Sequence, residues 1–278
     1  MRKRAFRIFL IISLPFLIIF GLLLFIGGGF EHKAPVRPAK LTGLTHAYFA
    51  HRGVPEDCPE NSREAILRAR QLGFDCLEVD LRKTADDEFV LFHDGDCRRL
   101  LGIDAELPNL STGMVKQHKL LVNDTVSSFE VLTLKEMLDE FGHEFLFYFD
   151  LKLKNIRDAE GLARIIKEYG ITGNSIVASA DPAVILYLEY RHPDIMTALE
   201  GMNSGKEWMY CIIPKKLKPD FLSGFASRID RKHVGWLNRH ELLPSRIVYG
   251  VDSTNYREVI SFGVQNMILD YFPGLVVP

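Results

Sequence analysis

Cys76-Leu77-Glu78-Val79-Asp80-Leu81 sets two acids at alternate positions of an otherwise apolar run. Side chains alternate across a strand, so Glu78 and Asp80 point one way and Val79 the other. The neighbouring sequence says which kind of strand this is. Apolar runs at 47–51, 75–81, 88–92, 145–151, 175–179, 195–199, 220–225, 246–251 and 266–270 read as strands. Helical patterns fall near 61–72, 132–141, 156–169, 182–191 and 255–262, with a fainter one at 228–242. Strand-then-helix alternation implies a parallel sheet with helices outside it, either closed as a barrel or open and doubly wound. Parallel strands are commonly buried on both faces, where two adjacent carboxylates repel each other and lose hydration. A bound divalent cation removes that cost, and carboxylate oxygens select hard ions such as Mg2+ or Ca2+. A salt bridge is the plainer reading of the same pair.

The rest of the chain frames this sheet. Arg2, Lys3, Arg4 and Arg7 precede an uncharged apolar run from Ile8 to Ile26. As a helix it would span roughly 28 Å, about one hydrocarbon core. A cleaved signal peptide is the rival reading, but no small-x-small site follows Ile26, so an uncleaved anchor is favoured. The basic flank puts the N-terminus in the cytoplasm and the remainder in the periplasm or outside, although Lys33, Arg37 and Lys40 weaken that orientation. Residues 1–30 are thus expected as the anchor, 31–45 as a linker with Pro35 and Pro38, and 46–278 as one domain of barrel size. Residues 94–131 break the strand–helix rhythm and suggest an inserted lid. The net charge of −2 argues against a nucleic-acid partner. Basic clusters at Lys215, Lys216, Lys218 and at Arg228, Arg231, Lys232 read as solvated faces, with anionic lipid headgroups as the alternative. Cys58, Cys76, Cys97 and Cys211 show no paired spacing, so free thiols are expected rather than a zinc site.

Further reactive side chains gather near strand ends, the face that carries chemistry in barrels. His51-Arg52-Gly53 follows the first strand, and His93-Asp94 follows Phe89-Val90-Leu91-Phe92. An arginine holds phosphate oxygens in a bidentate grip while a histidine moves a proton, although such triplets also occur freely in surface loops. Pro59-Glu60-Asn61-Ser62 opens a helix, and capping accounts for Asn61 or Ser62 better than for Glu60. In Phe145-Leu146-Phe147-Tyr148-Phe149-Asp150-Leu151-Lys152, Asp150 and Lys152 share a face. They are either an internal ion pair or a third metal ligand beside a phosphate clamp.

Taken in order, His51-Arg52-Gly53, Pro59-Glu60-Asn61-Ser62, Glu78-Val79-Asp80, Thr84-x-Asp86, His93-Asp94 and Asp150-Leu151-Lys152 resemble the signature of glycerophosphodiester phosphodiesterases. The resemblance spans residues 47–152, with an echo at Leu269-Asp270-Tyr271-Phe272-Pro273. It implies an α/β fold, a (β/α)8 TIM barrel with a small insertion at 94–131, here preceded by a transmembrane helix. It also implies metal-dependent hydrolysis of glycerophosphodiesters to sn-glycerol 3-phosphate and an alcohol. His51 and His93 match the acid/base pair, while Glu78, Asp80 and Asp150 match the ligands of Ca2+ or Mg2+. Arg52 and Lys152 match the phosphate-holding cations, and Glu60 is expected with them on the substrate. Asp150 stands where the family usually has Glu, and Leu269 where it usually has Thr. A lysophospholipid substrate, hydrolysed as by a lysophospholipase D or sphingomyelinase D, is the alternative. A non-catalytic ligand-binding barrel is the more distant one.

Overall fold

The computed structural model describes residues 14–22, 25, 29–32 and 46–277. Eleven strands are described: β1 (Ala47–Ala50), β2 (Cys76–Lys83), β3 (Phe89–Leu91), β4 (Leu121–Val122), β5 (Thr125–Val126), β6 (Leu146–Leu151), β7 (Ser175–Ser179), β8 (Met196–Leu199), β9 (Phe221–Phe225), β10 (Arg246–Val251) and β11 (Asn266–Leu269). Eight of them pair in parallel in the order β1-β11-β10-β9-β8-β7-β6-β2, and a β1–β2 pairing closes the ring. The closed barrel is therefore the one realised, not the open sheet. All nine strand runs expected from sequence form strands. One of them, β3, is not a barrel stave: it turns back antiparallel on β2, pairing Leu91 with Leu81.

Parity along each strand sorts the core into two layers. Ala47 and Phe49 of β1, Cys76 of β2, Leu146 and Tyr148 of β6 and Ile247 of β10 fill the barrel interior. Their neighbours Tyr48, Leu77, Val79, Phe147, Phe149 and Val248 belong to the outer apolar layer. Helices Arg63–Gln71, Leu134–Phe141, Ile156–Glu168 and Pro182–Arg191 add buried side chains such as Ile66, Met137, Leu162 and Leu188 to that layer. Because the inner and outer sets alternate, a one-residue slip would interchange the two buried sets and drive the acids into the apolar layer beneath the helices. Register here is specified by burial itself.

Residues 94–131 are more ordered than an irregular lid. Two short helices, Arg98–Leu101 and Thr112–Lys116, and the β4–β5 hairpin surround their own apolar cluster, with Phe92, Cys97, Leu100, Leu107 and Val115 inside. Short elements with mixed polarity leave no readable period, which is why sequence showed none. Helix Glu207–Cys211 is missed for the same reason. None of the four cysteines is in a disulfide, and Cys76 and Cys97 are buried. Lys218 departs from the solvated basic face expected for it: its side chain is buried, with Nζ over the Tyr210 ring at 4.0 Å.

The span expected over 8–26 lies partly outside the described residues. Within it, 14–22 are helical. Among the described residues no helix is long and apolar enough to cross a membrane.

The turn leaving β1 requires Gly53, whose φ is +79° and whose added Cβ would lie 2.6 Å from the Ala65 carbonyl carbon. Gly53→Ala is expected to cost about 2 kcal/mol or more, from left-handed strain plus overlap with backbone. Urea melts check this, and a loss under about 0.5 kcal/mol would contradict it.

Candidate active site

Above the apolar interior the inward positions become polar. Glu78 and Asp80 continue the inward series of β2, Asp150 that of β6, and the two strands register with Asp80 directly opposite Asp150. All three acids are buried, and each offers an oxygen within 4.8 Å of the others. They share a cavity of roughly 290 Å3 with His51, Arg52, His93, Tyr148, Lys152, Glu200, Phe225 and Tyr249. Seven of the eight residues singled out from sequence thus meet at one opening.

Glu60 is the exception. It does not line the cavity but lies behind Arg52, accepting from Nη1 at 2.8 Å. Asn61 also does something other than cap. Ser62 is the N-cap of helix Arg63–Gln71, accepting from the Ala65 amide. Asn61 instead clamps Asp80, donating from Nδ2 at 2.8 Å and accepting the Asp80 amide at 3.1 Å. Both Arg52 (φ 54°) and Asn61 (φ 57°) sit in the left-handed region. Such strain persists only where surrounding contacts enforce it, and it gathers at functional sites. Here the Asn61 amide donates to the Arg52 carbonyl at 3.0 Å, and the Arg52 amide donates to Glu78 Oε2 at 2.8 Å.

Two cations lie among the acids. Lys152 Nζ is 2.9 Å from Asp80 Oδ1 and also pairs with Asp150 Oδ2, so the internal ion pair is real. Arg52 Nε is 3.0 Å from Asp80 Oδ2, an ion pair without hydrogen-bond alignment. The three carboxyls differ accordingly. Burial pushes Glu78 well above its ordinary range, and the Asp80 and Asp150 charges push the same way. Asp150 is raised by burial and by Asp80, although Lys152 opposes. For Asp80 burial also raises, but Lys152 and Arg52 outweigh it and hold the group below the ordinary range. Crowded hard oxygens that resist ionising together are what a divalent cation relieves, so the residues present fit such an ion.

The histidines are each backed by an acid. Asp270 accepts from His51 Nδ1 at 2.8 Å, and Asp94 accepts from His93 Nδ1 at 2.7 Å. Carboxylates only accept, so each Nδ1 carries the hydrogen and Nε2 is the nitrogen left for chemistry. Asp270 was given no role from sequence because Leu269 departs from the family pattern. Its position one step past β11, in the inward parity, was the available signal. Glu200, one step past β8, is the same case. It accepts from Tyr148 Oη at 2.9 Å, and burial followed by the Asp150 charge pushes it up to about 8. Arg99 lies in the irregular stretch and carried no signal. It donates to Asp94 Oδ2 at 2.7 Å and to both Glu60 oxygens at 2.8 and 2.7 Å. Arg99 therefore joins the His93 side of the opening to the Arg52 side.

Raised carboxyl groups bind protons more tightly in the folded state than in the unfolded one. Stability from Glu78 and Asp150 is therefore present below the ordinary carboxylate range and lost as pH rises through their raised values. A cation held by these acids would take over that compensation at higher pH. Thermal melts with EDTA and with Mg2+ or Ca2+ are expected to differ more at about pH 8 than at about pH 5. An equal difference at both would count against the triad as a cation site.

Residues 51–228, more than half of the chain, match the model of the glycerophosphoryl diester phosphodiesterase family. Glycerophosphodiester phosphodiesterase 1 of Bos taurus is 32% identical over 159 residues, which cover 54% of this chain and 47% of that protein. The chain spans about half the length of the curated relatives it matches. Among solved structures, a glycerophosphodiester phosphodiesterase from Agrobacterium tumefaciens superposes with a TM-score of 0.68 at 19% identity, covering 81% of this chain and 96% of that one. A phosphodiesterase from Oleispira antarctica, in complex with its product sn-glycerol-3-phosphate, superposes with a TM-score of 0.69 at 16% identity, covering 83% and 95%. Barrel, ordered motifs and matched family model agree, and the chain belongs to the glycerophosphoryl diester phosphodiesterase family.

Proposed function

We propose that the chain is a divalent-cation-dependent phosphodiesterase that hydrolyses glycerophosphodiesters to sn-glycerol 3-phosphate and an alcohol. The supporting observation is one cavity holding two carboxylate-backed histidines, three crowded acids and two cations, Arg52 and Lys152. Mg2+ or Ca2+ held by Glu78, Asp80 and Asp150 would supply positive charge at a non-bridging phosphate oxygen. Asp150 reaches less far than a Glu would, so cation preference is set partly by this position.

Arg52 and Lys152 take other phosphate oxygens, releasing part of their hold on Asp80 and Asp150 as they do so. Glu60 acts through Arg52, fixing the guanidinium plane rather than touching substrate. One imidazole takes a proton at Nε2 from the attacking hydroxyl, either water or the glycerol 2-OH by way of a cyclic phosphate. The other gives its Nε2 proton to the leaving alkoxide. Asp270 and Asp94 steady the two imidazolium forms. Tyr148 and Glu200 form a polar floor below the phosphate position.

The N-terminal apolar run would anchor this domain to a membrane, with the N-terminus in the cytoplasm and the catalytic domain periplasmic or extracellular. That anchor favours the second reading, a lysophospholipid as substrate. Comparing glycerophosphocholine with lysophosphatidylcholine separates the two, and strong preference for the acylated compound would displace the first. Binding without turnover across a diester panel with Mg2+ or Ca2+ would leave only a binding barrel. His51→Ala and His93→Ala are each expected to lower kcat by at least roughly a hundredfold while far-UV circular dichroism stays unchanged. Near-normal turnover by both would end the assignment, and activity indifferent to EDTA would remove the cation from it.

A further inference from the structure

Four residues that follow the apolar N-terminal run are pinned to one flank of the barrel. The Lys215 amide donates to the Gly29 carbonyl at 2.7 Å, and Lys215 Nζ pairs with Glu31 at 2.7 Å. The His32 ring stacks on Tyr210 at 5.6 Å and lies 4.3 Å from the His240 ring. Phe30 in turn stacks on Phe20 of the helical segment 14–22 at 5.6 Å. That segment is apolar on every side and each of its residues is exposed, Phe16 at 71% and Leu17 at 61%. A helix apolar all round has no place in water, and its exit point marks the side of the molecule that meets lipid.

The same flank carries a second apolar feature that neither the barrel nor the site explains. Helix Glu207–Cys211 buries Tyr210 and turns Trp208 outward, with Ile212 beside it; they are 60% and 59% exposed. Lys206 and Lys216 stand exposed at either end of this stretch. Tryptophan and isoleucine framed by lysines are the composition of an interfacial segment, the rings entering the acyl boundary while the ammonium groups reach anionic headgroups. Lys215, three residues past Ile212, is the residue that holds Gly29 and Glu31. Residues 29–32, which continue from the apolar run, are thus held by Lys215 and Tyr210, on the same stretch of chain that carries Trp208 and Ile212.

We infer that Lys206, Trp208, Ile212 and Lys216 form a contact surface for an anionic lipid bilayer. The inference rests on the N-terminal run being a membrane anchor, as proposed above. Loop 200–206 connects this surface to the cavity, with Glu200 at its inner end and the Ser204 amide on the Arg228 carbonyl at 3.3 Å.

Trp208 and Trp236 are the two tryptophans of the chain, which makes the test direct. The full chain is reconstituted as Trp236→Phe or as Trp208→Phe in vesicles containing brominated acidic phospholipids. Trp208 emission is expected to shift blue and fall by about twofold or more, since interfacial side chains sit within bromine reach. Trp236 emission is expected to stay unquenched. Lys206→Glu with Lys216→Glu, or purely zwitterionic vesicles, should restore Trp208 emission. Trp208→Ser with Ile212→Ser should leave hydrolysis of soluble glycerophosphocholine unchanged.

Carbonate washing separates the two readings. An unquenched Trp208 in a chain that resists carbonate overturns the surface and leaves the anchor standing. A chain stripped by carbonate overturns the anchor and the surface with it. Blue-shifted but unquenched Trp208 identifies contact with a second protein copy instead, and likewise overturns the proposal.

Discussion

Three acids on two neighbouring strands face one another inside a ring of eight, and every other part of the opening is arranged around their mutual repulsion. Glu78, Asp80 and Asp150 converge because β2 and β6 register without a bulge. Their charges are offset by Arg52 and Lys152, which line the same cavity, and by the Arg52 backbone amide and the Asn61 side-chain amide. With Arg52 and Asn61 in left-handed conformations, both donors point at the acids. Strain there is compensated by electrostatics, and the acids tolerate burial because the strained turn exists.

Much of the fold was readable because the barrel staves carry the two strongest local signals, apolar runs and helical spacing, in alternation. The acids were readable because an i, i+2 pair of carboxylates in an apolar strand has few explanations. What sequence could not supply was identity of partners across distance. Asp270 sits 219 positions from His51, and no local pattern links them. Glu200 follows a strand but belongs to no repeated spacing. Arg99 and the small cluster around Cys97 and Leu107 lie where helices of four or five residues are too short for a period to show. Glu60 lies behind Arg52 and not on the cavity wall, a depth that a motif cannot give because it fixes only order along the chain. Lys218 was misread for a related reason: three lysines in four positions look solvated until the fold turns one of them inward.

The acid-backed histidines and the Arg99 bridge form one connected set. Glu60 meets both Arg52 and Arg99, and Arg99 meets Asp94 behind His93. Two groups proposed for different tasks, phosphate holding and proton transfer, are in this way oriented by a shared carboxylate. Networks of this sort carry more energy together than their pairs suggest singly, and only double-mutant cycles apportion it.

The return strand β3 has a consequence for how this family member can diversify. His93 arrives on a hairpin arm that hydrogen-bonds to β2 from outside the ring, and residues 94–131 hang from that arm with a private apolar cluster. Lengthening, shortening or exchanging that appendage leaves all eight closing contacts between staves intact. Natural variation can therefore reshape what enters the mouth while the wall bearing the acids stays fixed.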